Sequence, residues 1–169
     1  MPLAIPQALK LDHEEFHDEV MHASREEGAL GATAKRLLRI MQPHMEKEES
    51  FAHPPLGLLE DVARGKRPDD TELAEVLAMT DRLRSEILDM LAEHRMIFGA
   101  IEEFVAAAKA ADRVEYAELA IKLIHHAQLE ERVLYPAVTI LGNYLRLRFG
   151  VGGATDRLSS GRPSKAAAP

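Results

Sequence analysis

The chain has 169 residues, 46% of them apolar and 29% charged, enough for one domain with a sizeable core and ordinary for a soluble globular protein. A formal net charge of −7 excludes a general nucleic-acid binder, which needs a basic face, and the lack of any Cys excludes disulfides and thiolate metal sites. The opening "MPLAIPQALKLDHEEF" lacks the basic start and apolar run of a secretion signal, and no apolar run approaches the roughly 18 residues of a membrane span, so the expectation is a cytoplasmic protein with no membrane partner.

Helical periodicity dominates, and no stretch alternates as a strand would. A first helix is expected from Pro6 to Glu27, with Leu9, His13, Phe16 and Val20 as its inward stripe and Gly28 and Gly31 as its stop. A second is expected from Ala32 to Phe51, carrying Leu37, Ile40, Met41, His44, Glu48 and Phe51 on one side until Pro54-Pro55 ends it. Pro43, just before His44, should kink that helix, either as a tolerated kink or as one that re-aims His44. Residues 56–70 read as a loop with a short helical turn, after which Asp70 or Thr71 caps the next element. That element, 72–110, would be about 60 Å long at 1.5 Å per residue, so an overhang, a bend or a break near Thr80 is expected. "DRVE" at 112–115 reads as a capping box for a helix running to Tyr135, with Pro136 as its kink or end. A short amphipathic segment, 137–149, follows. The predicted fold is all-α, an up-down-up-down four-helix bundle over residues 1–149, with a short extra C-terminal helix and a flexible Gly/Ser/Ala/Pro-rich tail at 150–169.

An internal repeat singles out candidate functional residues. "HMEKEESFAHP" (44–54) and "HAQLEERVLYP" (126–136) each start with His, carry Glu-Glu at the fourth and fifth following positions and Pro at the tenth. His13 precedes His44 by 31 residues and His94 precedes His126 by 32, within "DHEEF" and "EHRMIF". Each half therefore has one His on one helix and His-x-x-x-Glu on the next. Residues i and i+4 share a helix face, so His44 projects with Glu48 and His126 with Glu130. Four helices can aim these four imidazoles and two carboxylates at one point. Uncompensated buried carboxylates cost several kcal/mol or become neutral, and divalent cations remove that difficulty. Imidazole and carboxylate suit iron, manganese or zinc, and six ligands exceed what one tetrahedral zinc uses. Two carboxylates could bridge a pair of octahedral ions; iron is the first choice and manganese the second.

The neighbours read differently. Glu49 and Glu131 are expected at the rim, flanking the ligands, and His17 at the surface or beside them. Glu93 is expected either to orient His94, to approach the metal or to pair at the surface. His125 should point away from His126, and His22 and His53 should lie at the surface or in loops. Met41, Met45, Met90 and Met96 are expected to fill the core.

His13, His44-x-x-x-Glu48, His94 and His126-x-x-x-Glu130, in that order, together with "E130-E131-x-x-L-Y-P", resemble the hemerythrin-like HHE cation-binding domain over residues 8–138. The resemblance implies a four-helix bundle with a non-haem di-iron centre. His13, His44, His94 and His126 would be terminal ligands, and Glu48 and Glu130 would bridge the irons beside an oxo or hydroxo group. Oxygen-carrying hemerythrins place a second His one turn after the helix-three ligand, where this chain has Phe98, and Asp rather than Glu on the last helix. The chain thus looks closer to the subgroup associated with iron sensing, nitric-oxide or peroxide response and iron–sulfur repair. A fifth ligand would come from His17, Glu93 or water. The implied function is binding or reduction of a small oxidant (dioxygen, nitric oxide or peroxide); the alternatives are a metal-dependent sensor or interaction module, or iron storage or a structural metal site.

Overall fold

A computed structural model describes residues 3–149. The expected tail at 150–169 lies outside the described residues. Every regular element among them is helical. Helix α1 is Gln7–Ala23 and α2 is Gly28–Lys47. A π-helical turn, Glu48–Ala52, and a 3-10 turn, Pro54–Leu58, lead into the short α3, Leu59–Ala63. The 41-residue α4 is Asp70–Ala110. Helix α5, Glu115–Leu129, passes through a second π-helical turn, Glu130–Leu134, into α6, Tyr135–Phe149. Helix α1 packs on α2 and α5, and α4 packs on α2, α5 and α6. No helix among the described residues is long and apolar enough to cross a membrane.

The stripe expected on α1 is buried, as Leu9, His13, Phe16 and Val20 all face the core. Gly28, at φ +70°, makes the turn into α2. Gly31 lies inside α2 rather than in that turn. Pro43 sits within the helix, which continues past it to His44 and beyond.

The long helix runs unbroken through Thr80. This residue is fully buried, and its hydroxyl donates to the Leu77 carbonyl at 3.0 Å. The length is accommodated by a change of partner. Leu73, Val76, Leu83 and Met90, in the first half of α4, pack with Val138, Leu141 and Leu145 of α6. Ile97, Ile101 and Phe104, in the second half, pack with Leu37, Leu119 and Leu123 of α2 and α5.

Two cap assignments shift. The capping box of α4 is Asp69 with Glu72, one residue before the expected cap. Asp69 Oδ1 accepts from the Thr71 and Glu72 amides at 2.9 Å, and Glu72 Oε2 accepts from the Asp69 amide at 3.0 Å. The "DRVE" box does not form. Asp112 has φ 55° and is the left-handed residue that closes α4, with the Arg113 amide bonded back to the Ala108 carbonyl at 2.9 Å. A left-handed residue stopping one helix cannot also hold the extended backbone of an N-cap for the next.

Each long helical run passes from one apolar cluster to another through a buried histidine. On α1 the order is Leu9, His13, Phe16; on α2, Met41, His44, then Phe51. On α4 it is Met90, His94, Ile97; on the α5–α6 run, Leu123, His126, then Val138. A polar layer is thereby enclosed above and below by apolar side chains.

The α4–α6 contact depends on Gly142. A Cβ placed there would lie 2.4 Å from Thr80 Oγ1 and 2.7 Å from Thr80 Cβ, closer than real contacts allow. Gly142→Ala is therefore expected to lower stability by about 1–3 kcal/mol, the usual effect of overpacking, read as a lower denaturation midpoint with an unchanged slope in urea.

A buried centre of histidines and glutamates

The structure brings together all six residues singled out by the repeat. His13, His44, His94 and His126 come from α1, α2, α4 and α5, while Glu48 and Glu130 are the first residues of the two π-helical turns. All six are at most 8% exposed. Two groups could each hold a cation. His13, Glu48, His53 and Glu130 form one; His44, Glu48, His94 and Glu130 form the other. Both contain both carboxylates. His126 stands beside the first group, its ring 5.1 Å from that of His13 and its Nε2 2.9 Å from Glu130 Oε1.

Each carboxylate divides its oxygens between the two groups. Glu48 Oε1 lies 3.3 Å from His44 Nε2, and Glu48 Oε2 lies 3.5 Å from His13 Nε2. Glu130 Oε1 lies 3.1 Å from His53 Nε2 and 3.6 Å from His13 Nε2, whereas its Oε2 lies 3.4 Å from His94 Nε2. The Nε2 atoms of His13, His44, His53 and His126 are buried yet make no aligned hydrogen bond, and neither does Glu130 Oε1. Buried polar atoms are normally satisfied. Lone pairs converging without partners fit the donor set of a cation.

An outer ring of carboxylates fixes the rings. A carboxylate can only accept, so each facing Nδ1 carries the proton and donates it. His13 donates to Glu49 at 2.9 Å, His44 to Glu93 at 2.8 Å, His94 to Glu131 at 2.9 Å and His126 to Asp12 at 3.2 Å. That leaves Nε2 of each neutral ring as the inward donor, the arrangement common around metal-bound histidine. Glu49 and Glu131 occupy the flanking positions expected of them. Glu93 orients His44 rather than its neighbour His94, and it also pairs with Lys47. The role of Asp12 was not visible in the periodicity.

His53 is the main correction. It was expected at the surface or in a loop, but it is 0% exposed and belongs to the first group. In an α-helix a residue five positions after Glu48 would point about 140° away from it. The π-helical turn changes this, because the His53 amide bonds to the Glu48 carbonyl at 2.8 Å, an i→i+5 closure that sets His53 one turn from Glu48. The geometry thus brings in His53 as a fifth imidazole, a residue outside the three sources expected for a fifth ligand, His17, Glu93 or water. The only sequence signal was its position just before the repeated Pro, where the second half has Tyr135. Tyr135 enters in the same way, its amide closing on the Glu130 carbonyl. Its hydroxyl donates to Glu48 Oε1, and its ring stacks at 5.9 Å and 11° on His94.

The other histidines and methionines sort plainly. His125 is exposed, as expected, and His22 is exposed and bonded to the Tyr116 hydroxyl. His17 lies beside Asp18 in a surface cleft between α1 and α2, which Glu14, Glu46 and Glu49 also line and which reaches His13. Met41 and Met90 are core residues, Met45 is half-buried, and Met96 is exposed rather than core filler.

The buried imidazoles and carboxylates shift one another's protonation. Burial pulls the His13 imidazole down, but its contact with Glu130, the charge of Glu48 and the bond to Glu49 outweigh this and lift it to about 9. His44 and His126 also rise, against their burial, through Glu48 and Glu130 respectively. Burial pushes the Glu130 carboxyl up, while His126, His13, His53 and His94 hold it well below the usual range. Burial and the charges of Glu48 and Glu130 push the Tyr135 phenol far up. The signs of the stability effects are opposite. A raised His13 contributes stability that is complete below its ordinary 6.5 and lost as pH rises through about 9. A depressed Glu130 contributes stability present above its ordinary 4.5 and lost as pH falls. With a chelator present, the urea midpoint should therefore fall between pH 6.5 and pH 9.5, and fall less in His13→Gln.

No protein-family model, no curated protein and no solved structure matches this chain.

Proposed function

We propose that the chain is a hemerythrin-like dinuclear non-haem iron protein of the cytoplasm that binds or reduces a small oxidant: dioxygen, nitric oxide or peroxide. One observation carries this reading. Glu48 and Glu130 each direct one oxygen to each of two histidine groups, the arrangement needed to bridge two cations. Nitrogen and oxygen donors in this number exceed tetrahedral zinc and suit iron, with manganese next. An up-down-up-down bundle is supported by the alternating order in which α1, α2, α4 and α5 pass between the two apolar clusters.

His13, His53 and His126 would hold one ion and His44 and His94 the other, with Glu48 and Glu130 shared between them. Such a pair would supply the electrons for reducing the oxidant. The protein does the rest. Asp12, Glu49, Glu93 and Glu131 hold the imidazoles in the binding tautomer. Phe16, Met41, Met90 and Ile97 keep bulk water from the layer. The Tyr135 hydroxyl holds a proton against Glu48 Oε1.

The second reading is a metal-dependent interaction module. It is favoured by the direct continuation of the Glu130 turn into α6, whose outer face exposes Ile140 and Leu147. Rapid mixing of the reduced protein with each oxidant separates the two readings: fast oxidation with turnover supports the first, and slow oxidation with metal-dependent partner binding supports the second.

Protein from iron-supplied cells is expected to contain two metal equivalents by elemental analysis. Glu48→Ala and Glu130→Ala should each abolish two-metal occupancy. Glu49→Ala, which removes only the partner of His13 Nδ1, should keep two equivalents with affinity about 10–100-fold lower. Two equivalents retained after both ligand changes would reject the assignment.

A further inference from the structure

The two halves of the centre match residue for residue. Asp12 corresponds to Glu93, His13 to His94, His44 to His126, Glu48 to Glu130 and Glu49 to Glu131. The contacts correspond as well. Glu49 bonds His13 as Glu131 bonds His94, and Asp12 bonds His126 as Glu93 bonds His44. The correspondence fails at one inward pair. Position 53 is His and position 135 is Tyr, each five residues after its glutamate and each followed by Pro. Both side chains are buried, at 0% and 1% exposure, and each crosses to the carboxylate of the other half. His53 Nε2 approaches Glu130 Oε1 at 3.1 Å, and the Tyr135 hydroxyl donates to Glu48 Oε1.

From this we infer that Tyr135 makes the two cation positions unequal, so that they fill in order, the His13/His53 position first and the His44/His94 position second. The inference rests on the dinuclear reading above and adds to it the affinity and sequence of loading. Two effects of Tyr135 act in the same direction. It stands where the other half supplies an imidazole, so the second position has one nitrogen donor fewer. Its hydroxyl also occupies Glu48 Oε1, the oxygen that faces His44 and His94 at 3.3 and 3.9 Å. A carboxylate oxygen that accepts an O–H bond has less charge to give a cation. Changes of this size around a metal alter affinity by about 10–100-fold, so the two steps should differ by at least about tenfold.

Tyr135 acts through Glu48 and is a positioning residue. The test is titration of the metal-free full-length chain with Co2+, followed by calorimetry and by the visible absorption of the ion. The wild type should take up two equivalents in two resolved steps. Tyr135→His, which restores the missing imidazole, should tighten the second step and close the gap. Tyr135→Phe frees Glu48 Oε1 without adding a donor, so it should narrow the gap while keeping two steps; it also serves if the His variant does not fold. His53→Tyr should weaken the first step. Two equal steps in the wild type, or a gap unchanged in folded Tyr135→His or Tyr135→Phe protein, would overturn the inference while leaving the dinuclear reading intact. A total of one equivalent in the wild type would overturn both.

Discussion

The burial of two glutamates in the middle of a helical core is the constraint around which this molecule is arranged. Taking a carboxylate out of water costs several kcal/mol after relaxation. A fully buried Leu, Val or Phe contributes about 1.5–3 kcal/mol, so apolar neighbours alone would be slow to offset the pair. Glu48 and Glu130 are each 1% exposed. The compensation is local: imidazoles surround them, and further carboxylates stand behind the imidazoles. Protons on the imidazoles offset the buried carboxylate charge, and a cation would offset it in their place. The apolar clusters on either side exclude water and thereby strengthen every interaction in the layer.

The glutamates and the widened turns coincide. Both π-helical turns begin at a centre carboxylate, and both are followed by a proline six residues after it. Proline has no amide to give to the i→i−4 ladder, which is interrupted there in any case. The interruption turns a fifth residue inward in each half, at the bend before the 3-10 turn in the first and within the run into α6 in the second. Pro136 was expected to end or kink its helix. It does not end the run, since it stands at the second position of α6, which follows α5 through the π-helical turn. A π-helical turn inside an α-helix is often associated with function. Here its function is visible in the side chains it delivers, His53 and Tyr135.

Most of the centre was legible from spacing, because His-x-x-x-Glu uses the regular α-helical period and recurs with its flanking residues. The three-dimensional grouping of His13, His44, His94, His126, Glu48 and Glu130 follows from that period. His53 was not legible for the same reason: a rule built on 3.6 residues per turn points it away from Glu48, and only the local change of helical type reverses this. The outer partners were half legible. Glu49 and Glu131 flank the inward glutamates as expected, but the pairing of Glu93 with His44 crosses between helices and has no signature along the chain. The long α4 was read correctly in extent. Of the overhang, bend or break expected near Thr80, the break does not occur, and the first half of α4 is covered by α6, whose return the sequence does not signal. The "DRVE" box failed because a left-handed backbone at Asp112 already serves the preceding helix.

The outer hydrogen bonds have a direction. Asp12 of α1 reaches the histidine of α5, Glu131 after α5 reaches that of α4, Glu93 of α4 reaches that of α2, and Glu49 after α2 reaches that of α1. Each segment gives one grip and receives one, and the chain of grips closes on itself like a reciprocal roof frame, in which every beam is carried by the next. No beam can slide along its axis without releasing two joints. The floor of the centre is thus held in phase by its own perimeter, before anything is placed at the middle.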